Sequence, residues 1–225
     1  MATSVRNIIV GAASLYLSSN VSLNGTPAQA YPTIGTTGIT AGTGASNPLS
    51  SNTNWRDVGF TSAGLELSYE PNFGEITVDQ SLDAARLFKQ SQKVTLKTEF
   101  AEASLENLWI VMNQQASTLT NGTTGGTGGI NNGSTGNAAQ TLDIVGGSLG
   151  DYPVERSLIA VGQAPRSSTA TNSERVYYAS RVMSIDTSAH SLKRDAGTFF
   201  PVSFRLLPDS SSANNAYGKI IDRTW

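Results

Sequence analysis

Cysteine is absent from the 225 residues, which removes disulfides and thiolate chemistry and leaves the compartment open. A single histidine, His190, excludes a histidine cluster or a multi-histidine metal site within one chain. Charged residues are sparse at 14%, and 15 bases against 17 acids leave a net charge of -2. No global field of one sign therefore selects nucleic acid or a membrane surface. No apolar run reaches the roughly 20 residues of a membrane-spanning helix. What is present is 38% hydrophobic content, on a chain long enough to bury one sizeable core.

Charge is distributed very unevenly along the chain. Residues 1–54 carry only Arg6, and residues 107–150 carry only Asp143. Between them, residues 55–106 hold nine acids and five bases, a local charge of -4. The two uncharged tracts contain "GTTGITAGTGASNPLSSNTN" (35–54) and "STLTNGTTGGTGGINNGSTGN" (117–137). Glycine raises the entropy cost of ordering, and few apolar groups are there to offset it. Both read as long loops of one domain, at about 24–54 and 116–140. They are either surface linkers or segments that order against a partner. Near the N-terminus, "NIIVGAASLYL" followed by "AQA" has the outline of a secretory signal. Gly11 and Ser14 interrupt that apolar run, and residues 8–17 read as a strand.

Strand patterns dominate the rest. In "LELSYEPNFGEITVDQSLD" (65–83), Leu65, Leu67 and Tyr69 alternate with Glu66, Ser68 and Glu70, and Ile76 and Val78 alternate with Glu75, Thr77 and Asp79. Pro71, Asn72 and Gly74 between them predict a hairpin turn. "KVTLKTEF" sets Val94, Leu96 and Phe100 opposite Lys93, Thr95, Lys97 and Glu99. Residues 155–161 and 175–185 are rich in β-formers. "TFFPVSFRLL" puts Phe200, Val202, Phe204 and Leu206 on one face, with Pro201 marking an edge or bulge. One helix is predicted, opening at Ser104 as N-cap, with Leu105, Leu108, Trp109 and Met112 as its core stripe. The fold expected is mainly β with one helix (α+β), a sandwich or barrel with long Gly/Thr/Asn-rich loops.

Catalytic and cofactor signatures are missing. The glycines at 125–136 are followed by no Lys-Ser or Lys-Thr and lack a strand-to-helix context, so they make no phosphate loop. His190 lies in a polar turn, and no nucleophile elbow accompanies it. The acids of 65–83 could include a glycosidase pair, but regular exposed spacing suits a solvated face. No catalytic residue, metal or cofactor is assigned.

Taken together, "WRDVGFTSAGLELSYEPNFGEITVDQSLDAARLFKQSQKVTLKTEFAEASLENLWIVMN" (55–113) resembles the major tail tube proteins of long-tailed bacteriophages. The likeness lies in a strand at 55–64, the "YEP" turn, "EITVDQSLD", a basic alternating strand and a helix opening "AEASLENL". "HSLKRDAGTFFPVSFRLLPD" and "GKIIDRTW" are similar to that family's closing segments. The resemblance implies a virion subunit assembled in the host cytoplasm. Its hexameric rings would stack into a tube holding the tape measure protein and passing genomic DNA. Tail terminator and initiator or baseplate proteins would be its further partners. A carbohydrate-binding β-sandwich, using aromatics such as Tyr177, Tyr178 and Trp225, is the alternative.

Two expectations follow from that likeness. A DNA conduit must not hold its cargo, and carboxylates repel phosphates where Lys and Arg would bind them. Glu66, Glu70, Glu75 and Asp79 are therefore candidates to face the lumen, although they could equally face outer solvent or pair with Lys93 and Lys97. Ring stacking needs apolar residues that one subunit leaves uncovered. Candidates are Tyr31 and Ile34 in the 24–54 loop, and Leu82, Leu87 and Phe88 in a loop-like segment at 80–92.

Overall fold

The computed structural model describes residues 9, 11–23, 25–32, 49, 54–80, 82–114, 119–121, 140–165, 172–186, 189–192, 194–195, 197–212 and 216–224. Along the chain come β1 (Ser14–Ser18), β2 (Trp55–Asp57), β3 (Glu66–Ile76), β4 (Arg86–Phe100), α1 (Leu105–Val111), β5 (Leu119–Asn121) and β6 (Gln140–Leu142). They are followed by β7 (Arg156–Gln163), β8 (Ser173–Ser184), β9 (Phe200–Leu207) and β10 (Gly218–Thr224). The expected mainly β fold with one helix forms. In place of two separate facing sheets, one antiparallel sheet joins eight strands in the order β2-β1-β7-β8-β9-β4-β3, with β10 also paired to β8. The short pair β5–β6 stands apart.

β7 shows why the sheet needs cover on both faces. Leu158 and Ala160 enter the main core cluster, while Ile159 and Val161 enter a second cluster with Tyr16, Leu49, Trp55 and Val176. Alternate side chains point to opposite faces, so burial on both sides turns an alternating pattern into the continuous apolar run of this strand. β9 keeps the alternation of its apolar residues, with Ser203 buried on the other face. Phe200, Val202, Phe204 and Leu206 are buried, and all four belong to the main cluster. β8 pairs only with residues 204–207 of β9, so Pro201 lies beyond that ladder and opposite Glu99 of β4. Proline thus removes no ladder donor on the β8 side.

β10 is fixed on β8 by charge as well as by backbone. Its register sets Asp222 opposite Arg175 and Arg223 opposite Glu174. Both pairs close, at 2.5 Å and 2.7 Å.

The helix begins as expected. Ser104 Oγ accepts the Asn107 N–H at 3.2 Å, satisfying an orphan donor of the first turn. Its buried face differs from the stripe predicted. Trp109 is buried and Leu108 packs against the core, but Leu105 and Met112 are only half-buried. The fully covered row is Asn107, Ile110 and Val111, an i, i+3, i+4 set that faces the sheet. In a helix this short, a small rotation exchanges one row for its neighbour.

Three strand boundaries also differ. Strand structure in the first segment starts at Ser14, and only Trp55–Asp57 of the expected 55–64 strand is one. The third difference is the largest. No hairpin turn occurs at 71–74, because β3 runs unbroken from Glu66 to Ile76, and the reversal comes at 77–85. The expected loop at 80–92 is correspondingly strand from Arg86 onward. Pro71 and Gly74 are tolerated because β3 is an edge strand with β4 as its one neighbour.

Candidate assembly surface

β4 is the longest strand, and its two ladders cover different parts of it. β9 pairs with residues 95–100, while β3 pairs with residues 86–97. Residues 86–94 therefore have a strand on one side only. With β3 they extend as a two-stranded ribbon about 30 Å long, at ~3.3 Å per residue. Such a ribbon is marginal in water unless something packs on it.

From Glu66 to Asn72 one face of the ribbon is polar and ordered by register, and beyond it the same face turns apolar with Phe88 and Ile76. Glu66 stands opposite Lys97, Ser68 opposite Thr95, Glu70 opposite Lys93 and Asn72 opposite Ser91. Directly opposed residues share a face, so acids and lysines are matched there. The other face carries Leu67 opposite Leu96, Tyr69 opposite Val94 and Pro71 opposite Gln92. Lys89 reaches across it, donating to Tyr69 Oη at 2.5 Å and to Gln92 Oε1. An irregularity between Asn72 and Phe73 lets two residues of β4 face one of β3.

This geometry separates the four acids expected to form one patch. Glu66 and Glu70 share the polar face. Glu75, nine residues after Glu66 on the same strand, falls on the opposite face and stands across from Leu87. Asp79 belongs to the turn beyond β3. The single acidic patch required a hairpin at 71–74, and the continuous strand replaces it with an alternation.

The ribbon and its turn carry one group of exposed apolar residues, and Ile144, Val145, Leu149 and Tyr152 form another. Tyr69, Phe73, Ile76, Val78, Leu87 and Phe88 are all exposed, Leu87 to 60%, and Leu82 in the turn is fully exposed. Leu87 and Phe88 thus sit on strand rather than on loop. Where the ribbon meets the sheet, an apolar groove of about 210 Å³ lies between it and β10, lined by Leu67, Val94, Leu96, Leu206, Tyr217 and Ile220.

Of the remaining expected residues, Ile34 lies outside the described residues. Tyr31 is turned inward. It stacks edge-on against Tyr178 at 5.3 Å, and Lys219 lies 3.9 Å from its ring centroid. Its own chain thus covers part of the ring, which is half-buried. Tyr178 donates to the carbonyl of Gln29 at 2.8 Å, and burial pushes its hydroxyl up to about 12. His190 meets Phe200 edge-on at 4.9 Å.

Asn107 is the residue that sequence reasoning passed over. It is completely buried, donates to the carbonyls of Val58 and Glu102 at 2.9 Å each, and accepts from Arg56 Nη2 at 2.6 Å. This one side chain ties the segment of Arg56 and Val58 to the start of α1. An Asn inside an apolar helix pattern was the only signal for it.

Among the described residues no group of three His, Asp or Glu side chains could hold a metal, and no helix is long and apolar enough to cross a membrane. The chain matches no protein-family model and no curated protein.

Proposed function

We infer that the protein is a structural subunit that assembles with copies of itself into rings, and that the rings stack into the tube of a long-tailed phage. One observation carries the reading: the β3–β4 ribbon projects beyond the sheet with its apolar residues uncovered. A ribbon of this length gains its stability from a neighbour's surface, and exposed apolar area of this kind marks an interaction site. The likeness of residues 55–113 to tail tube proteins supplies the nature of that neighbour, a second copy of the chain. In this reading Leu82, Leu87 and Phe88 form the intersubunit contact at the far end of the ribbon, which is gripped from both faces, Leu87 on the face of Tyr69 and Phe88 beyond Asn72 on the face of Glu66 and Glu70. The polar face, with Glu66 and Glu70 matched to Lys97 and Lys93, turns to the bore. Acids alternating with the lysines cancel their field on that face, so DNA and the tape measure protein pass without being held.

Negative-stain electron microscopy of the purified protein at rising concentration tests the assembly. Hollow rings or stacked tubes are expected, and Leu87→Asp and Phe88→Asp should each abolish them while leaving a folded monomer. Wild-type protein that stays monomeric up to its solubility limit overturns the reading. Tubes that persist in both variants would remove the ribbon from it.

A further inference from the structure

Arg156 opens β7 and is 3% exposed. Its guanidinium carbon lies 3.9 Å from the centroid of Trp109, and Nη1 donates to the carbonyl of Ser18 at 3.1 Å. Nη2 is buried and has no hydrogen-bond partner among the described residues. Arg56 on β2 repeats the situation. Its Nη2 donates to Ser104 Oγ and Asn107 Oδ1, while Nη1 is buried without a partner. The register brings both to one face of the sheet, Arg56 opposite Leu17 and Leu17 opposite Leu158, two residues on from Arg156; burial first, and then the charge of Arg56, bring the pKa of Arg156 down to about 10. Both remain cations at neutral pH.

Two buried like charges need compensation, and a carboxylate is the usual source. All 17 acids of the chain lie among the described residues. None forms an ion pair with either arginine; Glu155, next to Arg156 in the chain, is held by Arg181 instead. Glu106, Asp57 and Glu102 act on Arg56 from beyond ion-pairing distance, and no acid acts on Arg156 in this way. Trp109 offers Arg156 its π face, which attracts the cation but accepts nothing from an N–H lying in the guanidinium plane.

We propose that Arg156 Nη2 and Arg56 Nη1 together hold one small inorganic anion of halide size on the core face of the sheet, over β1, which separates their two strands. Such an ion accepts both orphaned donors and screens the repulsion between the guanidiniums. A water molecule would accept the hydrogens and leave the two charges facing each other. The depth of Arg156 excludes larger anions, including a side chain from another subunit. This inference is independent of the tube reading.

Crystals of the full chain grown in sodium bromide should show an anomalous peak between the two guanidiniums. In parallel, the unfolding midpoint should be higher in sodium bromide or chloride than in sodium gluconate of equal ionic strength. The expected rise is roughly 5–10 °C at a hundredfold excess over Kd. Arg56→Gln, at the less buried of the two sites, should flatten that difference. A bromide-free map at the pair, or density that scatters only as water, overturns the proposal. So does a halide dependence that is equal in wild type and Arg56→Gln.

Discussion

Phe88 lies flat across Gly74 on the opposite strand: a Cβ placed on Gly74 would come within 2.5 Å of Phe88 Cζ. The glycine leaves room for the ring, and the pair makes a ledge on the exposed ribbon. Gly74→Val should therefore lift Phe88 off the strand. Phe88 is 45% exposed, so little core packing is lost, and the monomer's stability should change by no more than about 0.5 kcal/mol. Ring and tube formation should fall sharply. Calorimetry beside electron microscopy separates the two effects, and unchanged assembly would mean that the ledge is not part of the contact.

Two ion pairs on β8 differ in what surrounds them, and their loss should differ accordingly. Arg181 grips Glu155 with two bonds, at 2.7 Å and 2.6 Å, and both side chains are nearly buried. Glu155→Ala strands a buried guanidinium and should cost about 3–5 kcal/mol. Arg175–Asp222 is solvent-exposed, and Asp222→Asn should cost only about 0–1 kcal/mol. The pH dependence of the latter has a definite sign. The hydrogen bond from Arg175 holds the Asp222 carboxyl below its ordinary 3.8. Its small contribution is present above that value and disappears as pH falls through the folded-state pKa. Urea midpoints of wild type and Asp222→Asn should converge in strong acid, and a gap that widens there would refute the assignment.

What could be read in the sequence divides along physical lines. The pattern of β9 was legible because one face is wholly apolar and buried and the other is not, so Phe200, Val202, Phe204 and Leu206 announce themselves. Ser104 was legible because an N-cap is a local requirement. The ribbon was not, because Pro71, Asn72 and Gly74 carry turn chemistry that an edge strand can absorb when only one side is paired. An odd offset of nine residues then moved Glu75 to the face opposite Glu66. The buried role of Asn107 was equally hidden, since its partners Arg56, Val58 and Glu102 meet it only through the tertiary fold.

Asn107 also yields a stability prediction. Asn107→Leu keeps the branched shape of the side chain while taking the donor from the carbonyls of Val58 and Glu102 and one of two acceptors from Nη2 of Arg56. Each unsatisfied buried group costs about 1–3 kcal/mol, against about 1 kcal/mol for loss of the Ser104 cap. At about 2–4 °C per kcal/mol, Asn107→Leu should lower the melting temperature clearly more than Ser104→Ala does. The reverse order would show that α1 is held by its cap and not by the network beneath it.

Charge reversal on the ribbon tests the bore-facing surface. At present Glu66 and Glu70 oppose Lys97 and Lys93, so the face is close to neutral where the ladder is paired. Glu66→Lys with Glu70→Lys turns it into four lysines with no matched acid, and each unmatched lysine can contact a phosphate and release a counterion. Assembled tubes of the double variant should retain duplex DNA in low salt and release it steeply as salt rises, with a slope of roughly -0.9 per phosphate contact in a plot of log affinity against log salt. Wild-type tubes should retain almost none. If intact tubes of the variant bind DNA only on their outer wall, visible as decoration by electron microscopy, the polar face points outward. The bore would then be lined by other residues.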